Sequence, residues 1–250
     1  MQLSHQSARL DRREPDPPRL SPRAYQTASH ASSWEEIWEA GPYYARVGQM
    51  LENAKRYAIF VGWQIDSRLQ IPGTRGPERL RDMLVRLCEE RPGFEIFVLM
   101  WAHAYFYVPE RELWQARIWE DAHPRIHFVF DSRHPFGASH HEKVCIVDGE
   151  IVLCGGIDLC DERWDSPDHL FHDRRRSLDG KSEHHGPYHD LAVQVTGEVC
   201  AWVQDHVGRR WREISSIPFP SPPPARWQAK KHLVYVSRTM AEIDMPDAGP

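Results

Sequence analysis

The sequence predicts an α/β sandwich: a mixed β-sheet with helices packed against it. Three observations carry that prediction. Short runs rich in branched and aromatic residues alternate with amphipathic stretches of helical period. Several of the runs are apolar throughout, as strands buried on both faces are. One pair of runs is separated only by Asp148-Gly149-Glu150, a hairpin signal.

Residues 1–32 are polar and proline-bearing without apolar periodicity, and read as a disordered lead-in. The globular domain runs from 33 to 215. Within it, Pro42 to Arg56 sets Tyr44, Val47, Leu51 and Ala54 on one helical face, and a strand follows at 57–63. Leu80, Leu84, Leu87 and Cys88 mark a second helix, ahead of a strand at 94–101. Residues 109–120 read as helix, and 125–130, 143–148 and 151–156 as three more strands. A strand at 189–197 and a helix from Glu198 to Glu213, with Val199, Val203, Val207 and Trp211 inward, complete the domain.

The remaining segment, 216–250, begins with the proline-rich run at 217–225. That run suits neither helix nor inner strand and reads as a linker. Residues 217–250 are accordingly expected to be poorly packed. Within them 232–238 has strand propensity and should hang free or dock at a sheet edge.

The 250 residues, 41% hydrophobic, are enough to bury a sizeable core. A formal net charge of −5 argues against general attraction to nucleic acid. Five cysteines without a CxxC pair suit buried, reduced thiols. No signal segment is visible at the N-terminus and no run approaches a membrane span, so the expectation is a cytoplasmic chain, with peripheral membrane contact left open.

The chemistry-bearing pattern is His141-Glu142-Lys143, four residues, then Asp148. Positions two apart on a strand share a face, so His141 and Lys143 should project together onto a groove at the edge of the sandwich, with Val144 and Ile146 opposite or buried. An imidazole beside an ammonium suits attack on a phosphodiester: the first is a nucleophile, and the second neutralises the phosphate oxygens as charge builds. The bland alternative is a surface His and Lys on an edge strand. His140 should face away from His141. Trp63 and Asp66 either line the cleft or pack. Five histidines between 168 and 189 (His169, His172, His184, His185, His189) lack the regular spacing of a zinc site. Arg174, Arg175 and Arg176 read as a solvated charge run.

Segment 139–171 closely resembles the first catalytic motif of the phospholipase D superfamily. Asp148 is followed by six residues and then by Gly155, Gly156, Ile157 and Asp158, and GGIDLCDERWD resembles that family's GG-x-DL…RWD block. Segments 43–71, 97–112 and 186–211 resemble flanking family blocks in the same order, with Tyr188 where Trp is usual, and 232–240 looks like the start of a second half.

The resemblance implies a phospholipase D-like half-domain working through a phosphohistidine. His141 would be the nucleophile. Lys143, Asp158, Gly155 and Gly156 would hold the phosphate, Trp63 and His189 would shape the site, and Asp148 would serve as an orienting carboxylate. It implies a phospholipid substrate, hydrolysed or transphosphatidylated, and no metal or cofactor. The alternatives are a nuclease or other phosphodiesterase of the same superfamily, or a catalytically incomplete phosphate- or membrane-binding fragment. Most such lipases carry two motifs, whereas this chain shows one. It is therefore expected to be a truncated first half, or else to complete its site by homodimerising; truncation is the favoured account.

Overall fold

In the computed structural model the described residues are 27–102, 112, 114–135, 138–176, 185–224 and 232–236. The chain divides into two units: Met1–Ala28 with Tyr235–Pro250, and Ser29–Val234. Nearly all of the first lies outside the described residues, and with it the expected lead-in as far as residue 26.

Chain order begins with β1 (Thr27–Ala31), β2 (Ser33–Trp38), α1 (Ala40–Asn53) and β3 (Tyr57–Gly62). A small hairpin follows, β4 (Gln70–Gly73) and β5 (Gly76–Arg79), then α2 (Leu80–Glu90), β6 (Glu95–Trp101) and α3 (Gln115–Glu120). Next come β7 (Ile126–Asp131), β8 (Val144–Val147), β9 (Ile151–Gly155), β10 (Leu191–Thr196), α4 (Glu198–Ile214) and β11 (His232–Val236). Seven strands form one sheet in the order β2-β10-β9-β8-β3-β6-β7. Strands β3, β6 and β7 are parallel, and the other neighbours are antiparallel. The ends of β3, β6 and β7 and the start of β8 consequently share one end of the sheet.

The alternation of side chains across the sheet divides the core in two. Ala58, Phe60, Ile96, Val98, Met100 and Cys145 pack under α1, α2 and α3, with Leu51, Leu84 and Trp119. Ile59, Val61, Phe97, Leu99 and Ile146 face α4 and meet Val199, Val207 and Trp211. Strand β3, covered on both faces, is buried at all six positions. Among the described residues no helix is long and apolar enough to cross a membrane.

Several elements depart from the sequence reading, among them β1, which lies within the expected disordered lead-in. Strand β2 was not legible because only Ile37 of its six residues is buried; pairing with β10 makes it a strand. Helix α3 is six residues long, and residues 109–111 and 113 of the expected helix lie outside the described residues. The proline-rich run is not a loose linker as far as residue 224. Phe219 sits 5.4 Å from Phe97 and 5.6 Å from Trp211 between ring centroids. The Ile217 and Pro220 carbonyls accept from Trp211 Nε1 and Gln204 Nε2 at 2.9 and 2.8 Å. A run of prolines cannot continue a helix, but each carbonyl still accepts hydrogen bonds. Strand β11 neither hangs free nor joins the large sheet; it pairs with β1.

Phe219→Ser should lower stability by about 1–2 kcal/mol in urea unfolding, the value of a partly buried aromatic ring; a free linker would give no change.

Candidate active site

The chain from β7 to β8 crosses from the rim of the sheet to its fourth strand, passing the ends of β6 and β3. His141 and Lys143 lie at the end of this crossing. They are not on the strand, as the sequence suggested, but in the extended segment ahead of β8, and β8 is central rather than at an edge. Val61 pairs with Val144, so Lys143 would face Gly62, where β3 ends. The next two amides of the β3 side, Trp63 and Gln64, turn aside to Asp158 Oδ1 at 3.0 and 3.1 Å. Ladder pairing therefore stops just before the motif. Ile146 is fully buried and Val144 partly so.

Asp158 serves two partners. While Oδ1 holds those amides, Oδ2 lies 2.7 Å from Lys143 Nζ. Both side chains are nearly buried, at 3% and 5% exposure. An ammonium carries three N–H donors. Since Asp158 is its sole carboxylate partner among the described residues, donors remain for an anion.

His141 is exposed, with its ring edge-on to Trp63 at 4.8 Å. Trp63 lies 4.2 Å from Trp101, and Lys143 Nζ is 5.9 Å from the Trp63 centroid. Partial burial depresses the His141 pKa, and the charges of Lys143 and Arg163 push the same way against Asp158 and Asp190. The shift favours the neutral, nucleophilic form of the imidazole. The Arg163 guanidinium stands 5.1 Å over the Tyr188 ring, and the Tyr188 hydroxyl is 3.5 Å from Asp190 Oδ2. Sequence reasoning had given Arg163 no role, because nothing in its spacing relates it to His141.

The other predicted site residues are placed as follows. Asp148 is at the far end of β8, about 16 Å from Lys143 by strand rise. Its carboxylate takes the Lys55, Arg56 and Tyr57 amides at 2.8, 2.7 and 3.0 Å. With Gly149 it forms the positive-φ pair (55° and 70°) that a tight hairpin requires. The amides of Gly155 and Gly156 are committed to the Lys143 and Leu191 carbonyls, at 3.2 and 3.1 Å. A Cβ on Gly156 would come within 2.2 Å of Asp190 Oδ1, and one on Gly155 within 2.4 Å of the Leu191 carbonyl. These glycines let β9 and the Asp190 segment approach closely; their N–H groups are not aimed at the cleft.

His189 is 65% exposed, stacks on Trp38 at 5.9 Å, and lies 2.5 Å from Glu39 Oε1. His169 Nε2 reaches the same oxygen at 3.0 Å, and its Nδ1 reaches Asp165 at 3.1 Å. Glu39, His169 and His189 bring one ligand atom each within 4.8 Å of one another and could hold a metal ion. Linear spacing could not find this cluster, since Glu39 is remote in sequence. His140 faces away from His141 and meets Asp131 at 3.3 Å. His185 bonds the Asp161 and Gly186 carbonyls, and His184 lies outside the described residues. The arginine run is not simply solvated: Arg176 is fully buried, because Asp165 and the Leu170 and Phe171 carbonyls satisfy it. Asp66 packs among acids rather than at His141; burial, Glu112 and Asp161 raise its pKa to about 7.

No family model matches the chain. Phospholipase D B of Dictyostelium discoideum is 30% identical over 198 residues, 68% of this chain and 16% of that protein. Phospholipase D1 of Schizosaccharomyces pombe is 27% identical over 141 residues, 53% and 10% of the two chains. Phospholipase D zeta 1 of Arabidopsis thaliana is 23% identical over 205 residues, 69% and 18%. The chain belongs to the phospholipase D superfamily. It spans less than a fifth of the length of each of these relatives. Among solved structures, Nuc of Salmonella typhimurium aligns at TM-score 0.46 and 14% identity, over 73% of this chain and 96% of that one. NucT of Helicobacter pylori aligns at 0.47 and 9%, over 73% and 98%. These two likenesses add nothing to the sequence relationships.

Asp158→Ala leaves a buried ammonium unpaired and two amides without an acceptor. It should cost about 3–5 kcal/mol in chemical unfolding. Asp66 titrates near 7 when folded against 3.8 ordinarily. The stability it contributes is fully present below about pH 4 and is lost as pH rises through 7. Asp66→Asn should therefore melt above the wild type at pH 8, with the gap narrowing at pH 5 and closing near pH 4 in thermal scans.

Proposed function

We propose that this chain supplies the nucleophilic half of a phospholipase D-type phosphodiesterase site acting on phospholipid. The observation that carries the reading is an exposed imidazole resting on Trp63, its neutral form favoured, beside a buried lysine whose charge Asp158 shares. The named relatives are phospholipases D, and the net charge of −5 favours a lipid over a polyanionic nucleic acid.

The phosphate of the head group lies against Lys143, with the positive charge of Arg163 also acting on the site. A His141 ring nitrogen attacks phosphorus, the P–O bond to the head-group alcohol breaks, and a phosphatidyl-histidine forms. The departing alkoxide takes its proton from a general acid, help that is typically worth about 10²–10⁴-fold in rate. Water, or a second alcohol, then attacks phosphorus and releases His141 with phosphatidate or a new phosphatidyl ester. Among the described residues no second imidazole contacts the His141 ring. The reading therefore takes the acid from a second motif, on a second copy of this chain or on a further half of the protein.

The test is incubation with phosphatidylcholine, followed by mass spectrometry for a phosphatidyl adduct and an assay for choline. An adduct on His141, absent from His141→Ala, is expected even where turnover is slow. Choline release per molecule should rise with protein concentration if a second copy supplies the acid. Robust turnover by a verified monomer would remove the need for a second motif, and turnover unaffected by His141→Ala would remove the reading itself.

A further inference from the structure

The segment that carries the nucleophile is held without ladder bonds. Among the described residues, 139–142 make no backbone–backbone hydrogen bond, and only the Lys143 carbonyl, accepting from Gly155 at 3.2 Å, returns to the sheet. An extended chain alternates its side chains, so His141 and Lys143 face the cleft while His140 and Glu142 face the opposite way. Both of the latter end in one charge cluster. Its centre is Arg210 of α4, whose side chain is only 14% exposed. Arg210 Nε and Nη2 meet Asp131 Oδ2 at 2.9 and 2.8 Å, and Nη1 donates to Glu142 Oε2. His140 joins at Asp131, and His206 lies 3.4 Å from Glu142 Oε1.

Asp131 closes β7, at the rim of the sheet, whereas Glu142 precedes β8 at its centre. One guanidinium therefore fixes both ends of the crossing. Trp101 Nε1, donating to His134 Nε2 at 2.8 Å, and the Trp63–His141 contact hold the cleft side. Burial raises the Asp131 and Glu142 carboxyls. His140 and Arg210 at the first, and His206 and Arg210 at the second, outweigh burial and hold both below the usual carboxylate range.

We propose that Arg210, through Glu142 and Asp131, is a positioning residue for His141 and Lys143. It sets where the imidazole stands although it touches neither substrate nor reacting atoms. The role rests on reading His141 as the nucleophile. A planar guanidinium can serve two carboxylates in fixed directions, which an ammonium does less well. Misplacement of about 1 Å at a reacting centre can reduce a rate by about 100-fold.

The experiment uses the full chain in four forms: wild type, Glu142→Gln, Arg210→Met and Arg210→Lys. The His141 ring signal is followed by proton–carbon NMR, assigned by its absence from His141→Ala. In the wild type the signal should be displaced by the Trp63 ring and should titrate below the ordinary histidine range. In Glu142→Gln and Arg210→Met it should move toward that of a free histidine, with its titration rising, while core methyl signals stay unchanged. Arg210→Lys should fall between. Adduct formation at saturating lipid should slow at least tenfold in Glu142→Gln, with lipid affinity little altered. Arg210→Met strands two carboxylates; if it fails to fold, Glu142→Gln, which keeps the Asp131 pair, decides. An unchanged His141 signal and titration in a folded Glu142→Gln overturns the proposal. A moved signal without adduct in any form upholds the positioning and rejects the nucleophile.

Discussion

The pairing of Lys143 with Asp158 is the constraint on which the rest of the site depends. A buried ammonium is tolerated only where a carboxylate meets it, and Asp158 also takes the two amides at which β3 ends. That one carboxylate thereby joins three parts of the sheet's end: the exit of β3, the approach to β8 and the segment after β9. Because the β3 side turns toward Asp158, the motif loses its strand neighbour just where it carries chemistry. Trp63, carried around the same bend, becomes the wall on which His141 rests.

Two ends of one sheet do different work. At the Asp148 end, a carboxylate and a positive-φ turn fasten β8 to the start of β3 with conventional amide hydrogen bonds. At the other end residues 139–142 have left the ladder and are held by side chains, aromatic on the cleft side and charged behind. Asp148 thus supports His141 from a distance by fixing the strand. Separating anchor from nucleophile leaves the cleft end free to be shaped by charge rather than by sheet geometry.

Much of the fold was legible. Strand β3, and β6 beyond Glu95, are apolar because they are buried on both faces, and α4 shows its inward face every three or four residues. Strand β2 was not legible, since an edge strand with one buried residue has no pattern to show. The run 217–224 was misread because proline reports what a segment cannot form, and says nothing of what Phe219 or a carbonyl can touch. At the site, the juxtaposition of His141 and Lys143 followed from local spacing. The roles of Gly155 and Gly156 did not, because they depend on how near β10 comes.

What the sequence by itself determined is the alternating α/β order, the Asp148-Gly149 hairpin, and the pairing of one histidine with one lysine on a common side. Each follows from interactions between near neighbours in the chain. What only the tertiary structure decided is which distant groups complete them. Asp158 meets Lys143, Arg210 joins Asp131 to Glu142, and Glu39 meets His169 and His189. Those partners lie from 11 to 150 residues apart in the chain. Their meeting is set by the order of strands in the sheet and the layer of helices on it, which no local periodicity encodes.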